Sequence, residues 1–145
     1  MKNWLLWTVF WTVGFVFEMH AQFSVAREWN EQVVDAIRND FARPTVHARN
    51  LFHTSVAMYD AWAAFDDTAD TYFLGKTIGG FNCPFEGIEQ NGITQDLQET
   101  AISYAAYRLL SHRFKNSASD SLNLASIHTR FQTLGYDSSF VSLKY

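Results

Sequence analysis

The sequence predicts an all-α fold of four main helices behind an N-terminal leader. Apolar residues recur at helical spacing in four segments, and residues typical of helix caps flank those segments. Aromatic residues make up 17% of the chain and hydrophobic residues 48%, which is enough material for a core. The formal net charge is −4, and no run of Lys or Arg indicates a nucleic-acid surface, so no nucleic-acid partner is expected.

The leader has the order of a secretory signal peptide. Lys2 precedes an apolar stretch at residues 4–17, and a small residue, Ala21, follows a short polar segment. The stretch is shorter than the roughly 20 residues of a transmembrane helix. We therefore predict a signal peptide at residues 1–21, a secreted or periplasmic protein, and no stable membrane association after cleavage. An uncleaved membrane anchor is the alternative.

The single cysteine, Cys83, cannot form a disulfide within this chain. It is either a buried thiol or the partner of a cysteine elsewhere.

The first two helices are predicted at residues 25–40 and 46–65. Ser24 is a suitable N-cap for the first, while Thr45, after the helix-breaking Pro44, is the expected cap of the second. The second helix carries an apolar stripe and is apolar over more than half its circumference, which predicts a central position. The stripe consists of Leu51, Ser55, Met58, Trp62 and Phe65.

Residues 66–93 lack a convincing period and are rich in glycine, with one short strand expected at residues 71–74. The spacing of Asp66 and Asp70 resembles a calcium loop, but the glycine and closing glutamate of such loops are missing, which favours a helix-exit turn. Thr94 is the predicted cap of a third helix reaching Phe114. A fourth helix is expected to end at Gly135 with Tyr136 packed back on its last turn.

Arg49, His53 and Asp60 are the candidate site residues. Their spacings of four and seven place them on one helix face, roughly opposite the stripe. Such a line could bind an anion or orient a catalytic histidine, but a polar seam against other helices is the favoured interpretation. No catalytic residue is assigned. No metal ligand is assigned either, because His47 and His53 lie six apart.

Several runs resemble exported bacterial proteins described as vanadium-dependent haloperoxidase-like. The most specific is FARPTVHARNLFH at residues 41–53. Shorter matching runs are AREWNE at 26–31, DAIRND at 35–40, AMYDAWAA at 57–64, AISYAAYRLL at 101–110 and LGYD at 134–137.

The resemblance implies a helical-bundle fold related to acid phosphatases. Family members hold vanadate with Lys, Arg, Ser-Gly-His and a ligating His, and use it with peroxide to oxidise halide. This chain has no Ser-Gly-His, and Ala36 stands where the first motif, matched to Arg43-Pro44, requires Lys. The vanadate ligands are therefore expected outside this chain.

We accordingly expect residues 22–145 to be the N-terminal helical portion of a haloperoxidase-like domain. Its partner would be a C-terminal helical half, and a homo-oligomer is possible. Two alternatives stay open. One is an exported non-catalytic helical binding or scaffold module that uses residues 66–93 as its contact surface. The other is a phosphatase on the same scaffold.

Overall fold

The computed structural model describes residues 24–88 and 92–140, and this part of the chain is mainly helical. Its helices are α1 (Val25–Arg38), α2 (Pro44–Ala63), α3 (Gln95–Phe114) and α4 (Asp120–Thr133). Two short strands, β1 (Thr77–Ile78) and β2 (Phe81–Asn82), pair antiparallel. The expectation of four main helices is thus confirmed, while the predicted signal peptide at 1–21 lies outside the described residues. None of the helices within these ranges is both long and apolar enough to cross a bilayer.

Helix α1 begins as its cap residue predicts. The Ser24 side chain accepts a hydrogen bond from the backbone N–H of Arg27 at 3.3 Å, satisfying one of the free donors of the first turn. Trp29 and Val33 are fully buried on the inner face. The indole N–H of Trp29 donates to Ser103 Oγ of α3 at 3.1 Å, which fixes α1 against α3 with its polar atom satisfied.

The start of α2 corrects the expectation that Thr45 is its cap. The N-cap is Arg43, whose side chain makes no capping hydrogen bond, and Pro44 occupies the first helical position. Proline is favoured there because its φ is already helical and the N–H it lacks would have no helical partner. Thr45 therefore lies inside the first turn.

The apolar stripe of α2 is not the buried side of the helix, which corrects the second expectation. Of its five residues only Met58 is buried, and Leu51 is 38% exposed. The inner side instead carries smaller or polar residues, Asn50 and Thr54 among them. The Thr54 hydroxyl donates to the Asn50 carbonyl at 2.8 Å, so this side can be buried without an unsatisfied hydroxyl.

The core is closed by α4 packing on α3. Phe131 is fully buried and stacks on Tyr107, with ring centroids 4.1 Å apart. As predicted, Gly135 follows the end of α4 as a capping residue, with a φ of +85°. The N–H of Tyr136 then donates back to the Phe131 carbonyl at 3.2 Å, which is the Schellman arrangement.

The strand expected at residues 71–74, in the connection between α2 and α3, does not form. A hairpin forms a few residues later, and its turn is Gly79-Gly80, with φ of +59° and +82°. A two-residue hairpin turn with both φ values positive suits glycine.

The helix-exit turn at Asp66 is confirmed, since its carboxylate accepts from the N–H groups of Thr68 and Ala69 at 2.9 Å. The Thr68 hydroxyl also donates to this carboxylate, and this hydrogen bond, together with the two from the N–H groups, holds the pKa of Asp66 below its usual value.

Candidate functional site

A groove of about 720 Å³ lies between α2, α3 and the loop that joins them. Its walls are almost wholly apolar, and alanines at 57, 61 and 105 leave room that larger side chains would fill. We call it the α2–α3 groove. It is lined by His53, Val56, Ala57, Asp60 and Ala61 of α2, by Phe73, Leu74, Ile78, Phe81 and Cys83 of the loop, and by Ala105 and Leu109 of α3.

Asp60 holds the loop against α2. Its buried carboxylate accepts hydrogen bonds from three consecutive backbone N–H groups, at 2.5 Å from Tyr72, 2.8 Å from Phe73 and 3.2 Å from Leu74. Three donors converging on one ionised carboxylate satisfy most of its acceptor capacity. Asp60 therefore builds a groove wall.

His53 is half-buried at one end of the groove. Its Nδ1 accepts a hydrogen bond from the guanidinium of Arg113, so the ring proton is placed on Nε2. Burial lowers the pKa of His53, and the positive charges of Arg113 and Arg49 lower it further. At neutral pH the imidazole is uncharged.

Arg113 and Arg49 place positive charge beside His53, although neither arginine lines the groove. Arg113 Nε is buried and has no hydrogen-bond partner. Within residues 24–88 and 92–140, no carboxylate forms an ion pair with either arginine. Two guanidinium groups thus lie beside His53, and no carboxylate of the described residues forms an ion pair with them.

The three residues singled out from the sequence take different positions. His53 and Asp60 line the groove, whereas Arg49 is exposed and lies one helical turn before His53. Arg113, which the spacing argument missed, reaches His53 from a helix 60 residues later in the chain. Its sequence signal was weak, because a basic residue in the last turn of a helix is commonly explained by the helix dipole.

Within residues 24–88 and 92–140, no group of three or more His, Cys, Asp or Glu side chains could hold a metal ion. The vanadate site that the resemblance implies contains Lys, Arg, a Ser-Gly-His run and a histidine whose ring nitrogen is free to bind the vanadate. The groove lining has no Ser or Gly, and His53 Nδ1 already accepts from Arg113. Cys83 is a half-buried free thiol on the groove wall.

Comparisons with known proteins give no further assignment: no protein-family model, curated protein or solved structure matches this chain. The resemblance to haloperoxidase-like proteins therefore remains a prediction that depends on the sequence runs quoted above.

Proposed function

We propose that this chain is the N-terminal helical portion of an exported vanadium-dependent haloperoxidase-like enzyme, in which a second helical half holds the vanadate. Here the described residues act as a packing scaffold and contribute no catalytic group. When bound in the second half, vanadate would activate peroxide for halide oxidation. The observation that carries the proposal is an uncovered apolar surface on α2.

This surface, which we call the outer face, consists of Leu51, Phe52, Tyr59 and Tyr72. These side chains are 38%, 49%, 43% and 43% exposed. The Tyr72 ring meets the Phe52 ring edge-on, with centroids 6.0 Å apart, so the loop extends the surface offered by the helix. Soluble monomers seldom expose contiguous aromatic surface without a partner.

The resemblance and the outer face coincide in the sequence. The most specific matching run, residues 41–53, ends with Leu51, Phe52 and His53 in the first half of α2. Two of these residues are exposed, so their own fold does not require them to be large and apolar. A helical partner that packs on the outer face supplies a physical reason for both the resemblance and the exposure.

The coding sequence downstream of the Tyr145 codon tests this proposal. We expect it to encode a Ser-Gly-His motif followed by an Arg and a His, and we expect the complete product to oxidise bromide only when vanadate is supplied. The 145-residue chain alone should show no such activity. A downstream sequence without these motifs, or a complete product that releases phosphate from esters without oxidising bromide, would contradict it.

A non-catalytic exported binding module is the second candidate, and the α2–α3 groove favours it. The groove is built entirely from residues of this chain, so ligand binding there does not require a second half. A stop codon directly after Tyr145, together with ligand binding by the chain alone, would favour the module over the enzyme.

A further inference from the structure

We propose that Tyr107 and His128 form a proton-coupled oxidation site, at which one-electron oxidation of the aromatic core comes to rest. Its co-reactants would be oxidants of the radical class, such as those that form from peroxide. The inference goes beyond the haloperoxidase proposal and does not depend on it, because the described residues alone supply both the oxidisable rings and the base.

Oxidisable rings are packed around Phe131 in the core. The Trp29 ring lies on one side of it, with ring centroids 6.3 Å apart, and the Tyr107 ring stacks on it at 4.1 Å. Tyr104 meets the same ring edge-on at 4.9 Å. Indole and phenol rings lose an electron far more readily than the benzene ring of phenylalanine, and a single intervening ring is a short distance for electron tunnelling. An electron vacancy on Trp29 can therefore pass to either tyrosine.

The hydrogen-bond acceptors decide where the vacancy stays. A phenol that loses an electron becomes a strong acid, so its radical is stabilised where a base takes the proton. The Trp29 N–H donates to the Ser103 hydroxyl at 3.1 Å, and the Tyr104 hydroxyl donates to the Asp137 carbonyl at 2.8 Å. Neither of these oxygens takes up a proton at neutral pH.

Tyr107 differs because its hydroxyl faces an imidazole. The phenol oxygen lies 3.3 Å from His128 Nδ1, which accepts the phenol proton when the ring proton of the imidazole is on Nε2. Imidazole is the side chain best suited to take up a proton near neutral pH. Of Trp29, Tyr104 and Tyr107, the last is therefore the residue whose oxidation product a base stabilises.

Electrons and protons balance over two steps. The oxidant takes one electron from Trp29, which becomes an indole radical cation. An electron then passes from Tyr107 to Trp29, and the phenol proton moves to His128 Nδ1. Trp29 is restored, Tyr107 is left as a neutral phenoxyl radical, His128 is left as an imidazolium, and the oxidant has been reduced by one electron.

Photochemical one-electron oxidation of the full chain with ruthenium tris-bipyridine and persulfate tests the proposal. Peptide mass spectrometry measures the oxidation products of Trp29, and a nitroso spin trap marks the tyrosine that carries the radical. We expect the trap on Tyr107 in preference to Tyr104. Tyr107→Phe, which keeps the stacked ring, should raise the yield of oxidised Trp29 severalfold, because the vacancy then has no base-stabilised site to reach. Trapping mainly on Tyr104, or a Trp29 yield unchanged by Tyr107→Phe, would overturn the proposal.

Two further variants separate proton transfer from packing. His128→Gln keeps a hydrogen-bonding side chain but removes the base, so it should raise Trp29 oxidation as Tyr107→Phe does while leaving helical circular dichroism unchanged. Tyr104→Phe is the matched control, since Tyr104 touches the same Phe131 ring but its hydroxyl donates to a carbonyl. It should leave Trp29 oxidation unchanged. Equal rises in the Tyr104→Phe and Tyr107→Phe variants would overturn the assignment, as would a His128→Gln variant that behaves like the unchanged chain.

Discussion

The Asp60 carboxylate is where α2 holds the loop that completes the groove. Asp60→Asn keeps the side-chain shape but removes the negative charge that three backbone N–H groups share. We expect a loss of about 1.5–3 kcal/mol in the free energy of unfolding, measured by urea denaturation, because hydrogen bonds to a charged acceptor are stronger than neutral ones. Asp67→Asn is the control: Asp67 is exposed and should change stability by less than about 0.5 kcal/mol. Equal effects of the two substitutions would refute the anchoring role.

His53 should titrate below the usual range of histidine. Burial disfavours its charged form, and the positive charges of Arg113 and Arg49 act in the same direction. An NMR titration of the imidazole resonances should therefore give a lowered pKa, and Arg113→Gln should raise it towards the ordinary value. A pKa that is unaffected by Arg113→Gln would show that the two side chains do not interact in solution.

The same shift sets the sign of a pH effect on stability. Because the pKa of His53 is lower in the folded chain, the unfolded chain binds the proton first as pH falls. The contribution of His53 is thus fully present above the unfolded pKa of about 6.5 and is lost as pH falls from there to the folded pKa. His53→Gln should reduce the loss of stability over this window in urea denaturations at several pH values. An identical pH dependence in both proteins would contradict this origin.

Residue-level prediction succeeded where helical geometry determines the answer. The spacing of His53 and Asp60 placed these two residues on one side of α2, and both line the groove. Neither Arg113 nor the loop N–H groups could be predicted in the same way, because they approach from elements that are distant in the chain and carry no periodic signal. Asp60 shows the difference: its helix face could be derived, but its partners depend on the loop.

At the scale of elements, the end of α4 depends on a single glycine. Gly135 has a φ of +85°, and a Cβ added there would meet nothing within 4 Å, so any cost of substitution is conformational. We expect Gly135→Ala to destabilise the chain by about 1–2 kcal/mol in thermal or urea denaturation. Gly135→Asn should cost less, since asparagine tolerates this conformation better. Equal stability of the Ala variant and the unchanged chain would argue against the Schellman ending.

The caps at Ser24, Thr94 and Gly135 were predictable because caps act locally, whereas the start and the orientation of α2 were not. Periodicity correctly identified an apolar stripe through Leu51, but a stripe does not state whether its own chain covers it. The inner side of α2 is instead the one with Thr54 and Asn50, where the Thr54 hydroxyl donates to the Asn50 backbone carbonyl. The hairpin was missed because each strand has only two residues, too few for alternation to show.

At the scale of the whole molecule, two phenylalanines distinguish the covered and uncovered surfaces. Phe131 is fully buried, and Phe131→Ala should cost about 3–5 kcal/mol of unfolding free energy. Phe52 is 49% exposed, and Phe52→Ala should cost less than about 1 kcal/mol. Urea denaturation of the full chain checks both. A cost for Phe52→Ala close to that for Phe131→Ala would mean that the outer face is already covered in this chain.

The outer face and the groove adjoin along α2. The Phe52 ring lies 5.8 Å from the His53 ring, and Val56 of the groove lining follows Phe52 by one helical turn. A second helical half on the outer face would therefore border one wall of the groove.

Photo-crosslinking from position 52 tests the scaffold proposal most directly. A benzoylphenylalanine placed there in the complete gene product should, on illumination, attach to peptides from the helical segment that carries the vanadate-binding motif. Mass spectrometry of the digested product would identify them. Cross-links confined to residues 24–140, or no cross-link at all, would contradict the account, because the outer face of α2 would then have no helical partner.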